Sequence, residues 1–179
     1  MIFATVGTQL PFDRLLLALD GWAKGHRGVP VLAQTGDSSQ HFSTIETVSH
    51  LGMVEFEARF AAASLIVAHA GMGTILSAAE IGKPILLMPR RADLNEHRND
   101  HQKDTAREMA RLSNVTIVED ETDLHCALDQ ALACEFAPMA MDVDVGADML
   151  GPLIDEIRDF VWDEQAAETP TLSLKNSVA

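Results

Sequence analysis

Six residues, His69-Ala70-Gly71-Met72-Gly73-Thr74, join an apolar run to a helix-forming segment through two glycines. Such a turn leaves unpaired backbone N–H groups and the positive end of a helix dipole aimed at one point. That arrangement suits a phosphate or another anion. Gly71 and Gly73 permit close backbone approach, Met72 lies between them, and Thr74 carries a hydroxyl for the helix cap or for a phosphate oxygen. His69 ends a buried strand at its carboxyl edge, where open α/β sheets form their binding crevices. A histidine satisfied inside the fold is the plainer reading of the same residue. Gly7-Thr8-Gln9 follows the first strand at the same edge, and Thr8 and Gln9 can offer donors to a diphosphate or a sugar.

Further candidates lie downstream. Ser77 and Glu80, three apart on one helix face, place a carboxylate where it can accept both hydroxyls of a ribose. The loop 90–103 holds Arg90, Arg91, His97, Arg98, His101 and Lys103, including four of the 13 lysines and arginines in a chain of formal charge −14. A cationic island on an acidic protein is a candidate anion site, although Asp93, Glu96, Asp100 and Asp104 in the same stretch can neutralise it. His97 and His101 are spaced i, i+4, as two metal ligands on a helix would be, but the pattern is not HExxH and no third ligand is evident. No metal site is therefore expected. Neither GxGxxG nor a P-loop lysine is present, which disfavours NAD binding and ATP hydrolysis, and no Ser-His-Asp or Cys-His arrangement is legible.

The elements that must position these residues alternate. Strands are predicted at Ile2–Val6, Val29–Gln34, Ile45–Val48, Leu65–Ala68, Ile85–Met88 and Val115–Val118. Helices are predicted from Pro11 and Asp13 to about Lys24, and over Glu55–Ala63, Gly73–Ile81, His97–Leu112 and Thr122–Cys134, the last capped by Thr122 with Asp123. In the first helix Phe12, Leu15, Leu16, Leu19 and Trp22 share a face; in the second Phe56, Phe60 and Ala63 turn inward. Strands alternating with helices of this length imply parallel pairing with right-handed crossovers. The fold class is thus α/β, a single Rossmann-like doubly wound parallel sheet over residues 1–135. A C-terminal helix at Gly146–Trp162 lies in a helical extension, 136–164, and a polar, disordered tail covers 165–179.

Bulk composition bounds the function. At 179 residues the chain has room for one well-packed domain, and its apolar runs are far too short to span a membrane. The chain opens directly on a strand, so no signal peptide is expected. Cys126 and Cys134 read as reduced thiols in a cytoplasm. A net charge of −14 argues against nucleic acid as a partner.

The pattern VGTQLPFDRLL, followed by AHAGMGTILSAAEIGKPILLMPRRADLNEHRNDHQ, resembles the C-terminal, donor-binding half of GT-B glycosyltransferases of the family 28 type. The likeness is strongest to PssE-like proteins of bacterial exopolysaccharide synthesis. These are similar to the soluble subunit of the eukaryotic two-subunit enzyme that adds the second N-acetylglucosamine to dolichol-linked sugar. The transferase that makes lipid II carries the same half as its second domain. The resemblance implies a UDP-sugar site. Backbone near Val54–Phe56 would face the uracil, and the Gly71–Thr74 turn would hold the diphosphate with Thr8 and Gln9 close by. His101 and Gln102 fall where the family places amides against the donor sugar, and His69 and His101 are the candidate catalytic side chains. Relatives carry a ribose-binding glutamate at the position of Ser77; here Glu80, one turn on, takes its place or the ribose is held differently.

A GT-B enzyme needs two Rossmann-like halves, and this chain supplies one. The resemblance implies a separate, membrane-anchored, PssD-like partner that binds a polyprenyl-linked glycan acceptor and recruits this subunit to the inner face of the plasma membrane. The family chemistry is inverting, needs no essential metal or cofactor, and draws its general base from the partner or the interface. Arg90 or Arg91 would meet the carboxylate of a glucuronate donor, since PssE-like proteins are associated with glucuronosyl transfer; UDP-glucose, UDP-galactose and UDP-N-acetylglucosamine are the other donors open. The competing class is a non-catalytic nucleotide-sugar-binding or regulatory module, which needs the same crevice. A nucleotide-sugar epimerase would need both halves in one chain, and a flavodoxin-like receiver would need an acidic pocket that this sequence lacks.

Overall fold

The computed structural model describes residues 1–8 and 10–134. Gln9, the expected helix at Gly146–Trp162 and the tail lie outside the described residues. Six strands and five helices alternate: β1 (Ile2–Thr5), α1 (Asp13–Gly25), β2 (Val31–Gln34), β3 (Glu46–Val48), α2 (Met53–Ala62), β4 (Leu65–His69), α3 (Met72–Glu80), β5 (Ile85–Met88), α4 (His101–Met109), β6 (Val115–Ile117) and α5 (Glu121–Ala133). The strands form one sheet in the order β3-β2-β1-β4-β5-β6, and every pairing is parallel. The doubly wound α/β sheet expected from the alternation is the architecture observed.

The period-2 alternation of strand side chains sorts the core into two layers. Ile2, Ala4, Leu65, Val67, Leu86 and Met88 face α1 and α5, where they meet Leu15, Leu16, Leu19, Leu124 and Leu128. Phe3, Leu32, Ile66, Ala68, Ile85 and Leu87 face the other way, onto Phe60, Ile75, Ala78 and Met109 of α2, α3 and α4. Burying each such side chain contributes roughly 1.5–3 kcal/mol, so both faces are needed to hold a sheet this small. Phe12, Leu15, Leu16, Leu19 and Trp22 are all buried, as the periodicity of α1 predicts.

The outward crossover from β1 runs through α1 on one face, and that from β4 runs through α3 on the other. The direction of winding therefore reverses between the adjacent strands β1 and β4. Loops leaving the carboxyl ends of these two strands diverge and open a crevice there.

Between the parallel strands β2 and β3 the chain returns without a helix, and Asp20 of α1 organises that return. Its carboxylate accepts N–H bonds from Thr44 (2.7 Å) and Ile45 (3.2 Å) and the Ser43 hydroxyl. Burial pushes the Asp20 carboxyl up, but the two backbone donors and Lys24 outweigh it and hold the group below the usual range.

Three boundaries differ from expectation for local reasons. The helix expected from His97 starts at His101. Asn95 adopts a left-handed φ of 57°, and the Asn99 and Asp100 side chains accept N–H bonds from His101 and Ala92, so the segment folds on itself instead of extending the helix. His97 and His101 therefore share no helix face, which removes the i, i+4 geometry of a metal pair. In α5 the cap is Asp120, which accepts from the Asp123 N–H at 2.9 Å, and not Thr122 with Asp123. Helix α2 begins at Met53, two residues before the expected Glu55; exposed Met53 and Val54 lie outside the apolar period and so did not signal the start.

Candidate functional site

At the reversal point the loops after β1 and β4 close on one imidazole. Gly7, with φ +76°, turns the chain away from β1, and a Cβ there would lie 2.7 Å from His69 Cε1. A Cβ on Gly71 would overlap His69 Nε2. The ring fills the space that two missing side chains leave, so the glycines are required by close approach. Burial, and then the Arg90 charge, pull the His69 pKa down to about 4, with the Thr5 backbone offsetting only part. The ring is neutral at physiological pH, and Nδ1 is buried with no hydrogen-bond partner among the described residues. His69 is thus a spacer wedged between two loops. As a general base it is poorly suited, because a group with a pKa near 4 holds a proton weakly at pH 7.

Beside this wedge the helix ends are left open. The N-cap of α3 is Gly71 and that of α2 is Gly52, and neither cap supplies a side-chain bond. Ile75 N bonds to Gly71 O and Phe56 N to Gly52 O, while Gly71 N is taken by His69 O at 2.8 Å. The N–H groups at the opening turn of α3 are therefore those of Met72, Gly73 and Thr74, and those of α2 are Met53, Val54 and Glu55. The N–H groups of Gly71 and Phe56 are spent on the carbonyls of His69 and Gly52 and are not open to a ligand. Phe56 packs edge-on against Phe3 and stacks on Phe60, so its side chain belongs to the core. By contrast α5, which follows β6, closes its N-terminus with Asp120.

The third wall is the segment 89–102. Arg90 is only 3% exposed, and its guanidinium donates to four main-chain carbonyls: Pro11 (2.6 Å), Glu96 (3.2 Å), Val6 (2.8 Å) and Leu10 (2.5 Å). It also lies 4.7 Å over the Phe12 ring. Burial pulls its pKa below the ordinary value and Glu96 offsets part of that. Arg90 cannot reach a ligand carboxylate while so engaged. The expectation of a uronate contact at Arg90 is corrected: this side chain fastens the β1–α1 loop to the β5–α4 loop. Arg91 is accessible and forks onto Asp93 at 2.6 and 3.1 Å. The Arg90 backbone N–H donates to Gln102 Oε1 at 3.1 Å, so the Gln102 carbonyl is committed and its NH2 is the end left to offer.

A family profile described as glycosyltransferase family 28 C-terminal domain matches residues 1–143. The chain belongs to this family. Among solved structures, MurG of Acinetobacter baumannii superposes with a TM-score of 0.52 at 19% identity, covering 76% of this chain and 41% of that one. The solution structure of ALG13 gives 0.55 at 16%, covering 78% and 89%. A UDP-glucose:anthocyanidin 3-O-glucosyltransferase in complex with UDP gives 0.53 at 15%, covering 90% and 35%. At these identities the likeness concerns the fold. The chain spans about two fifths of the MurG chain and about a third of the anthocyanidin enzyme. None of the curated proteins compared matches it.

Within this family 28 domain the predicted residues divide. Gly71, Met72, Gly73, Thr74 and His69 gather at the reversal point, with Thr8 exposed on the facing loop and Gln102 held to Arg90. Ser77 is half-buried midway along α3; Glu80 is exposed at the last residue of that helix, about 12 Å of rise from Met72. His101 is exposed at the first residue of α4. Two residues escape a sequence reading, Arg14 and Glu96, whose ion pair at 2.7 Å joins positions 82 apart. A cleft of about 440 Å³ between α4 and β6 lies apart from the glycine turns; its cations Arg91, Lys103 and Arg107 are paired with Asp93, Asp100 and Asp104. Among the described residues no cluster of three or more His, Cys, Asp or Glu is placed to hold a metal, and no helix is long and apolar enough to cross a membrane.

Proposed function

We propose that this chain is the donor-binding part of a two-part, inverting GT-B glycosyltransferase that moves a sugar from a UDP-sugar to a lipid-linked acceptor. The observation that carries the reading is the open, glycine-capped N-terminus of α3 at the Gly7–His69–Gly71 contact, with that of α2 opening, after β3, at the same carboxyl edge of the parallel sheet. The N–H groups of Met72, Gly73 and Thr74 face the diphosphate, and the same donors stabilise the charge that gathers on UDP as the glycosidic bond breaks. Donors at the opening turn of α2 serve the uracil, and the Gln102 NH2 serves the sugar. Thr8 closes the site from the β1–α1 loop.

The acceptor hydroxyl must lose a proton, and His69 is too weakly basic for that at neutral pH. This supports a base supplied by a membrane-anchored, PssD-like partner, which would hold the polyprenyl-linked glycan and bring this chain to the cytoplasmic face of the membrane. The pathway we favour is exopolysaccharide or capsule synthesis with a glucuronate donor, whose carboxylate falls to Arg91 once it releases Asp93. No metal is required in this scheme, since backbone dipoles carry the leaving-group charge. A purely regulatory nucleotide-sugar module uses the same crevice without turnover.

Calorimetry with UDP, UDP-glucuronate, UDP-glucose and UDP-N-acetylglucosamine tests the donor site, and turnover with and without the partner and lipid acceptor tests the split. Micromolar UDP binding and activity confined to the mixture are expected, unaffected by a chelator. Absence of UDP binding discards the reading, and turnover by the lone chain discards the split.

A further inference from the structure

The carboxylate of Glu96 is filled by protein donors. Oε1 accepts Arg14 Nε at 2.7 Å, and Oε2 accepts Arg14 Nη2 and the Arg91 backbone N–H, each at 2.9 Å. Arg14 spends its remaining reach on the carbonyls of Pro89 (2.9 Å) and Glu119 (2.8 Å). Three successive residues after β5 are therefore held by their backbones: Pro89 O by Arg14, Arg90 N by Gln102, and Arg91 N by Glu96. The Glu96 carbonyl in turn receives Arg90 Nη1, whose guanidinium also grips the carbonyls of Val6, Leu10 and Pro11. With side chains 21% and 11% exposed, the Arg14–Glu96 pair is largely withdrawn from water, where a forked charge-assisted contact is strong and directional. Neither residue belongs to the two apolar layers. Their contacts join irregular segments at the carboxyl edge, which no strand ladder holds.

We propose that Glu96, through Arg14, is a positioning residue for the donor sugar: it fixes the 89–91 backbone against which Gln102 is oriented. It does not touch the donor, because both its oxygens are occupied. The inference rests on the donor-site reading above. The Gly71–Thr74 turn and the opening turns of α2 and α3 make none of these contacts, and the brace reaches the nucleotide side only through the β1–α1 loop, by way of Arg90. Loss of the brace should accordingly weaken the sugar contact and spare the uridine diphosphate.

The test is calorimetric binding of UDP and of whichever UDP-sugar the wild-type chain binds best, measured on the full chain and on Glu96→Gln. Glutamine keeps the shape but cannot accept three donors as an anion. The expected result is a UDP-sugar affinity weakened about tenfold with UDP altered less than about twofold. Arg14→Lys, which keeps the charge but not the fork, is expected to fall between wild type and Glu96→Gln; it serves alone if Glu96→Gln does not fold. Equal weakening of both ligands, or no change in either, overturns the positioning role and leaves the donor site standing. A wild-type chain that binds neither ligand overturns the donor-site reading and this inference with it.

Discussion

The two walls of the crevice are built on opposite principles. Around His69 the site is made by omission: glycines at 7 and 71 leave room for a neutral ring, and uncapped helix ends leave donors unspent. Around Arg90 it is made by saturation, with a buried cation, a forked ion pair and a run of carbonyls satisfying one another. The first wall binds by what it leaves open, and the second holds shape because its buried Arg90 and the Arg14–Glu96 pair are fully engaged. Perturbing them should therefore fail in different ways: additions harm the glycine wall, and deletions harm the charged one.

The largest effect is expected from Arg90→Met. It strips four carbonyls of a charged donor, and urea unfolding should show a loss of roughly 3–5 kcal/mol. A loss under 1 kcal/mol would show that the loops hold themselves. Next comes pH. The folded His69 value, about 4, lies below its ordinary 6.5, so the unfolded chain takes up the proton first. Stability should fall as pH drops from 6.5 towards 4, by up to about 3 kcal/mol from this group, and stop responding to it below that. Comparing stability–pH slopes of wild type and His69→Asn isolates the contribution; parallel slopes would refute the buried neutral ring.

Gly71→Ala should cost about 1–3 kcal/mol through overpacking against the imidazole and should weaken UDP binding, with part of both recovered in a His69→Ala background. Recovery failing in the double variant would mean the added methyl acts on something other than the ring. The smallest effect concerns the return loop away from both walls. Asp20→Asn should lower stability by about 1–2 kcal/mol at neutral pH without changing UDP affinity. Since Asp20 is held below its usual pKa, that difference should shrink on acidification.

The same contrast explains what could be read from the residues alone. Strand positions follow from local apolar runs and parallel pairing from their alternation with helices, and the glycine turn is a contiguous motif, so these were legible to within a residue or two, whereas the strand order was not. Arg14 and Glu96 are 82 positions apart, and no local pattern signals that they meet. Arg90 stood out as a cation in a polar loop; that its partners are carbonyls of the first loop depends on tertiary placement. Asn99 and Asp100 diverted the start of α4 because their side chains compete locally with the backbone, an effect that charge counting overlooks.

Both outermost strands, β3 and β6, are three residues long, and Glu46, Thr47 and Thr116 on them are exposed. A rim this brief presents too few amides for a neighbouring polypeptide to zip onto, which guards a wholly parallel sheet against runaway self-association. Among the described residues it also leaves helices and loops as the broader surface for a binding companion, because edges this short disfavour lengthening the sheet.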